Sequence, residues 1–281
     1  MTTEVDTNTI SRRRIALAVG TEGMGRLLPL VLRALAAEEP SEIEGTFVED
    51  QNLLNLAALP VFKEVCRVSR VTTAPPQKDL TRQLRLRANA VRNAVLKAAE
   101  DTGARWTFHV TQGTICAEAR RSAETADMIA IAASRRSVAT PLDLRLYAEE
   151  WVSVPLETRA KATQDAQRPI ALYVHGLDIH KRALSTAAAI ARRFRRPLIV
   201  LTDQPTVDLY SALVNRLGAG LRPHLIGINS ASSSALVTAA RQAKTALLVT
   251  PALPQFLEAK AITEFHEETH APTILIRDSK T

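Results

Sequence analysis

Near its C-terminal end the sequence contains a pattern that could bind a metal ion. His266-Glu267-Glu268-Thr269-His270 matches His-Glu-x-x-His, which places two zinc ligands one helical turn apart. A catalytic zinc needs a third protein ligand, and the eleven residues after His270 include no His, Cys or Glu. A helix-ending Pro272 and an apolar strand follow at once. We therefore expect a helix C-terminus here and no metal site.

A second stretch with chemical potential is the glycine-rich turn Gly20-Thr21-Glu22-Gly23-Met24-Gly25. It lies between an apolar run and a helical pattern, where backbone N–H groups can hold an anion. Gly20 and Gly25 have P-loop spacing, but Arg26 and Leu27 replace the lysine and the hydroxyl residue. The third glycine of the Rossmann pattern is missing as well. NTPase chemistry is not supported, and a structural turn and an anion site both stay open.

The other histidines of the chain are scattered, and His175 stands out by its position. It follows the apolar run Ile170–Val174 and precedes Gly176, so it lies at the tip of an expected strand. Strand tips at the carboxyl edge of a parallel sheet line the ligand crevice. No Gly-x-Ser-x-Gly elbow accompanies it, and we predict no catalytic residue and no enzyme activity beyond weak ATP hydrolysis.

The sequence pattern of the strands that must position these residues occurs twice in the chain. Ile-Ala-Leu-x-Val begins at Ile15 and returns at Ile170, 155 residues later (170 minus 15). Short apolar runs alternate with helical spacing after each copy, as expected for buried parallel strands joined by helices. The sequence predicts an α/β fold with two tandem doubly wound five-stranded parallel sheets, helices covering both faces. The fifth strand of the first sheet is expected at Val152–Leu156.

The two units differ in length, which predicts an insertion in the first one. Strand one to strand four takes 113 residues in the first unit (128 minus 15) and 77 in the second (247 minus 170). We place the roughly 36 extra residues near 50–81 and set the domains at 12–160 and 168–278. The insertion holds an apolar cluster that we expect to act as a cover or contact surface: Leu53, Leu54, Leu56, Leu59, Val61 and Phe62.

Composition limits the classes of function. The chain has 281 residues, 46% of them hydrophobic, and a formal charge of +7. The basic balance permits anionic partners, but no aromatic-interleaved basic cluster points to nucleic acid. No apolar run approaches the roughly 18 residues of a membrane span. Cys66 and Cys116 form no disulfide or zinc pattern, and the polar N-terminus shows no signal peptide. We expect a cytoplasmic protein that binds neither nucleic acid nor membranes.

Together, the repeat, the strand tips and Phe47-Val48-Glu49-Asp50 make the chain resemble a tandem universal stress protein. The resemblance implies strand order 3-2-1-4-5 and a nucleotide crevice between strands one and four. It also implies an acidic residue after strand one and a Gly-x2-Gly-x9-Gly-Ser/Thr loop after strand four. In this chain the loop positions hold Ala133-Ser134-Arg135-Arg136-Ser137 and Pro251-Ala252-Leu253-Pro254, and no glycine occurs between Gly113 and Gly176 or after Gly227. The nucleotide-binding signature is therefore degenerate.

From these observations we expect a non-catalytic universal-stress-like protein in stress response that binds a small ligand and either a protein partner or a second copy of itself. The alternative is an ATP-binding protein that uses the first unit, with Arg135 and Arg136 as a phosphate clamp. A flavoprotein would share the layered architecture but lacks a cofactor fingerprint. No cofactor is certain, and ATP or another adenine nucleotide is possible in the first unit. The candidate ligand-binding residues are Gly20, Thr21, Glu22, Gly23, Gly25, Val48, Ser134, Arg135, Arg136, His175 and Gly176.

Overall fold

The protein is represented by a computed structural model. It describes residues 13–21, 32, 36, 41–57, 64–65, 72–73, 77–132, 168–218, 220–269 and 271–277. The strands are β1 (Arg13–Gly20), β2 (Ser41–Asp50), β3 (Glu64–Val65), β4 (Thr72–Thr73), β5 (Arg105–Gly113), β6 (Met128–Ile131), β7 (Ile170–Val174), β8 (Leu198–Thr202), β9 (His224–Gly227), β10 (Leu247–Pro251) and β11 (Thr273–Ile276). The helices are α1 (Gln51–Ala57), α2 (Gln77–Thr102), α3 (Ile115–Thr125), α4 (Lys181–Arg193), α5 (Val207–Leu217), α6 (Ser233–Gln242) and α7 (Ala259–Glu267), with a 3₁₀ turn at Pro254–Phe256.

Nine of the described strands form one sheet in the order β5-β2-β1-β6-β11-β10-β7-β8-β9. All neighbouring pairs are parallel except β6 and β11, which are antiparallel. The second half, residues 168–277, has the predicted order 3-2-1-4-5. The first half, residues 13–132, shows the matching order 3-2-1-4 in its described strands. The predicted doubly wound α/β class is confirmed.

The expected division into two five-stranded sheets is wrong, because β11 belongs to both halves. It pairs in parallel with β10 on one side and in antiparallel with β6 on the other. A strand with both edges paired leaves no free backbone groups at the junction, whereas two separate sheets would leave two open edges. The fifth strand expected at Val152–Leu156 lies outside the described residues, and the neighbour of β6 is β11.

Helices cover both faces of the sheet, as predicted. One buried cluster contains residues of α2, α4 and α5 together with Leu32 and Ala36. The other contains residues of α3, α6 and α7. The central strands are buried on both faces, which explains their unbroken apolar runs in the sequence. Side-chain oxygens of Thr114, Thr206 and Ser232 accept backbone N–H bonds at the starts of α3, α5 and α6.

The predicted insertion begins with α1, which follows β2 directly and contacts β2 and β5. Leu54 packs against the first-half core, and Leu53 is half-buried. The side chain of Leu56 and residues Leu59, Val61 and Phe62 lie outside the described part of the chain. The role of the insertion as a cover or contact surface therefore stays a prediction, as do the domain boundaries. Over the described residues, no helix is both long and apolar enough to cross a membrane.

Candidate functional site

The candidate sites lie where the parallel strands end. A ligand crevice forms outside the carboxyl ends of parallel strands, at the point where successive connections turn to opposite sides of the first strand. In this sheet that point is between β1 and β6 in the first half and between β7 and β10 in the second. Because β6 and β11 are antiparallel, the two carboxyl edges lie at opposite ends of the sheet. Each edge is therefore a separate site.

In the second half a histidine and an aspartate meet at neighbouring strand tips. Val174 pairs with Thr202 in the ladder between β7 and β8, so the next residues, His175 and Asp203, come side by side. Nδ1 of His175 lies 3.0 Å from Oδ2 of Asp203. The other carboxylate oxygen, Oδ1, accepts the backbone N–H of Gly176 at 2.8 Å. The carboxylate thus fixes both the imidazole and the turn that follows β7.

His175 is the more accessible partner of this pair. Its side chain is 52% exposed, against 16% for Asp203. With Nδ1 held by the carboxylate, Nε2 is the imidazole nitrogen that faces an incoming ligand. Because a carboxylate only accepts, Nδ1 carries the hydrogen of this contact, and Nε2 accepts from a ligand when the ring is neutral and donates when the ring is protonated. The predicted site residue His175 is therefore placed where it can touch a ligand.

Gly176 is required by the tight turn after β7. The N–H of Asp178 donates to the carbonyl of His175 at 3.0 Å, and Gly176 has φ of 55°. Side chains other than glycine adopt this left-handed region at a cost. A Cβ at this position would lie 3.7 Å from Oε1 of Gln204, so the backbone conformation is the constraint and not the space. Gly176 is thus a turn residue that holds His175 in place.

Beneath His175 lies a buried tyrosine that sequence reasoning missed. Tyr173 is 1% exposed, and its hydroxyl lies 3.3 Å from Nδ1 of His175. Burial, followed by the negative charge of Asp203, raises the pKa of Tyr173 to about 12. The phenol is therefore neutral at physiological pH and belongs to the same polar cluster as His175 and Asp203.

Three aromatic rings pack together on one face of the sheet beside the ends of β7 and β10. After Pro251 the chain enters the 3₁₀ turn, whose last residue, Phe256, is fully buried. The Phe256 ring meets Tyr173 edge-on at 5.4 Å and Phe265 at 5.6 Å. The segment from Pro251 to Phe256 contains no glycine, so side chains limit how closely phosphate oxygens can approach its backbone.

At the first-half edge, two predicted residues are adjacent. Gly20 ends β1 and pairs in register with Val48 of β2, which is 2% exposed. Thr21 follows and is 5% exposed. Val48 is therefore a buried residue below this edge of the sheet, and its side chain offers no polar group to a ligand.

Arg87 also reaches the first-half edge, and sequence reasoning missed it. Its guanidinium Nη1 donates to the carbonyl of Thr21. Arg87 precedes Ala88, a member of the buried α2 face, so its side chain leaves the helix beside that face. In the sequence, the place of Arg87 next to the apolar positions of this helix indicated that its side chain could reach the sheet. A cation thus stands beside the end of β1.

The remaining predicted residues lie outside the described part of the chain. These are Glu22, Gly23, Gly25, Ser134, Arg135 and Arg136. His270 also lies outside it, and the side chains of His266 and Glu267 are not described. Within the described residues, no group of three or more His, Cys, Asp or Glu side chains could hold a metal ion.

Comparisons with known proteins give structural neighbours only. No family model matches the chain, and no curated protein does. A universal stress protein from Archaeoglobus fulgidus is similar over 94% of this chain and 97% of its own, with 11% identity and a TM-score of 0.43. A second one from the same organism has 20% identity, covers 39% of this chain and 93% of its own, and has a TM-score of 0.31. A Pseudomonas aeruginosa protein described as a universal stress protein has 12% identity, coverage of 95% and 94%, and a TM-score of 0.41.

These three structural neighbours are described as universal stress proteins. At these identities and TM-scores, the fold rests on the strand order of this chain and not on the likeness. Neither a ligand nor a mechanism follows from them.

The two edges differ in the chemistry that they offer. The second-half edge presents an oriented imidazole over a buried phenol, whose ring packs against Phe256. The first-half edge presents a glycine, a buried threonine and a guanidinium. The second can hydrogen-bond a polar group, and the first is better suited to an anion.

Proposed function

We propose that the protein is a non-catalytic, universal-stress-like binding protein that holds a small ligand or a protein partner during stress adaptation. The observation that carries this proposal is the packing of Phe256 against Tyr173 at the second-half crevice. A fully buried ring stands where the resemblance implies a glycine loop for nucleotide phosphates. On this proposal the second-half crevice does not take phosphates, and His175 is the hydrogen-bonding contact for an uncharged or carboxylate-bearing ligand.

The alternative proposal is that an adenine nucleotide binds at the first-half edge. It is supported by Gly20 at the end of β1 and by the guanidinium of Arg87 at the Thr21 carbonyl. Arginine guanidinium groups bind phosphate oxygens in pairs, and the sequence adds Arg135 and Arg136 after β6. These features favour ATP in the first half over ATP in the second.

The test uses the full-length chain, because β11 joins both halves and a separated half would lose a strand pairing. Small molecules released from the purified protein are identified by mass spectrometry, and phosphate release from MgATP is measured. We expect a co-purified ligand or partner and no phosphate release. Phosphate release that Arg87→Gln abolishes would overturn the non-catalytic assignment.

Calorimetric titration with MgATP tests the alternative, with Arg216→Gln as a matched control. Arg216 of α5 also donates to a carbonyl, that of Ile179 at 3.2 Å, but in the second half. A charge-assisted hydrogen bond contributes about 1.5–3 kcal/mol, so losing one from Arg87 should weaken ATP binding by roughly 10- to 100-fold. Equal loss in both variants, or binding that His175→Ala abolishes, would contradict a first-half site.

A further inference from the structure

The hydrogen-bonding state of His175 follows from the partner that holds it. Nδ1 of His175 lies 3.0 Å from Oδ2 of Asp203, and the other oxygen of that carboxylate, Oδ1, accepts the N–H of Gly176 at 2.8 Å. A carboxylate has no hydrogen to give, so Nδ1 carries the hydrogen of the neutral imidazole. Nε2 then has a lone pair and no hydrogen. The neutral ring therefore offers a ligand an acceptor and not a donor.

The hydroxyl of Tyr173 does not alter this assignment. It lies 3.3 Å from Nδ1 of His175, farther than the carboxylate oxygen, and its own oxygen can accept a share of the same hydrogen. If the phenol donated to Nδ1 instead, a bare nitrogen would face an oxygen of Asp203 at 3.0 Å, and neither atom would have a hydrogen to share. The cluster therefore stabilises the tautomer that carries its hydrogen on Nδ1.

The net charge of the second-half edge does not choose its ligand. Two nearby arginines are engaged elsewhere: Nη1 of Arg182 lies 3.9 Å from Oδ1 of Asp127, and Nη1 of Arg216 donates to the carbonyl of Ile179 at 3.2 Å. Exposed carboxylates and ammonium groups occur in similar numbers on the described loops and helix starts that follow the strands. These residues are Asp178, Lys181, Asp208, Glu258 and Lys260. The groups in contact with His175 decide instead.

The charge in contact with His175 is negative. The carboxylate of Asp203 is mostly buried, and burial, followed by this negative charge, raises the pKa of Tyr173 to about 12. A ligand carboxylate at Nε2 would require an added proton on the ring, because two acceptors form no hydrogen bond. A hydroxyl or an amine meets Nε2 of the neutral ring directly, since either group donates.

We propose that the ligand of the second-half crevice donates an N–H or O–H hydrogen, from an amine or a hydroxyl group, to Nε2 of His175. This inference rests on the proposed function and narrows it, because a carboxylate is set aside as the group that meets His175. Asp203 is a positioning residue here, since it fixes the tautomer through Nδ1. The preference for donors over acceptors therefore belongs to the pair and not to the histidine alone.

The experiment follows the ring nitrogens of isotope-labelled histidine by NMR in the full-length chain. Three probes that differ only in their polar group are titrated at equal ionic strength: propylammonium, n-propanol and propionate. The pH is one at which the spectrum of the free protein shows a neutral His175 ring. We expect propylammonium and n-propanol to shift the Nε2 resonance saturably without protonating it. Propionate should bind roughly tenfold more weakly or not at all.

Two histidine variants locate the response. His175→Ala identifies the His175 resonances by their loss, and it should abolish the response to both donor probes. The matched control is His224→Ala, because His224 is an exposed histidine on the strand β9 of the same half, and this variant should respond as the wild type does. Circular dichroism shows whether each variant is folded.

Asp203→Asn gives a readout that a merely structural role would not move. The asparagine amide has one oxygen, which the Gly176 N–H retains, so its NH₂ group would face Nδ1 of His175. The ring hydrogen should then move to Nε2, which the NMR spectrum detects directly. The donor probes should bind roughly tenfold more weakly to this variant, and propionate should bind more tightly than it does to the wild type.

The outcomes separate this inference from the proposed function. Binding of propylammonium alone identifies an amine as the donor, binding of n-propanol alone identifies a hydroxyl, and either result supports the inference. Binding of propionate with a hydrogen gained at Nε2 overturns it and leaves the proposed function standing, since that function allows a carboxylate-bearing ligand. Unchanged His175 resonances with all three probes also overturn it, whereas the proposed function is decided by the ligand or partner that co-purifies.

Discussion

The replacement of Phe256 by alanine tests the aromatic packing beside the second-half crevice. Phe256 is fully buried and contacts two other aromatic rings edge-on, Tyr173 at 5.4 Å and Phe265 at 5.6 Å. Truncating a buried phenylalanine costs about 3–5 kcal/mol, and each aromatic pair contributes about 0.5–1.5 kcal/mol to such a loss. We therefore expect Phe256→Ala to lower the free energy of unfolding by about 3–5 kcal/mol.

Urea unfolding followed by circular dichroism provides the measurement, with Val207→Ala as the control. Val207 is 80% exposed, and its truncation should change the free energy by no more than about 0.5 kcal/mol. The pKa of Tyr173 should also fall from about 12 as water reaches the phenol. A loss below about 1 kcal/mol with an unchanged tyrosine titration would show that the ring does not pack against Tyr173, and the main support for the proposed function would be removed.

Three further outcomes follow from the packing and the charges. Gly45→Ala should lower the free energy of unfolding by about 1–3 kcal/mol through overpacking, because a Cβ there would lie 2.8 Å from Val95 Cγ2. An unchanged urea midpoint would contradict this. Tyr173 has a higher pKa folded, about 12, than unfolded, about 10. The folded state therefore binds more protons between these values, and stability falls as pH rises from 10 to 12, by up to about 3 kcal/mol relative to Tyr173→Phe; parallel pH profiles of the two proteins would refute it. Asp203→Asn should lower the Tyr173 pKa less than Phe256→Ala does, since burial is the larger cause; tyrosinate absorbance, corrected with Tyr173→Phe, shows which substitution has the greater effect.

The sequence predicted the individual strands better than their assembly. The bounds of β7 were predicted without error, because a strand buried on both faces appears as an unbroken apolar run. The single nine-stranded sheet could not be predicted in the same way. The run Thr273–Ile276 is equally apolar whether one edge or two is paired, so hydrophobic pattern alone does not show that β6 lies beside it.

Site residues were predicted only where the end of a single strand was enough to identify them. His175 and Gly176 were found because they follow an apolar run directly, and the turn conformation of Gly176 agrees with that position. Asp203 and Arg87 were missed because their roles depend on neighbours distant in sequence. Asp203 meets His175 through the register of β7 and β8, and Arg87 reaches Thr21 from a helix 66 residues away in sequence. Such partners follow from topology and not from local spacing.

The shared strand β11 also has a consequence for biosynthesis. The ribosome makes β6 long before β11, since Ile131 and its partner Thr273 are 142 residues apart (273 minus 131). During that interval the backbone groups of β6 that β11 will bind have no such partner, and contacts between residues so far apart in sequence form late. β10 is in the same position until Thr273–Ile276 emerges. Nascent chains stalled ahead of β11 are therefore the form of this protein most exposed to edge-to-edge aggregation.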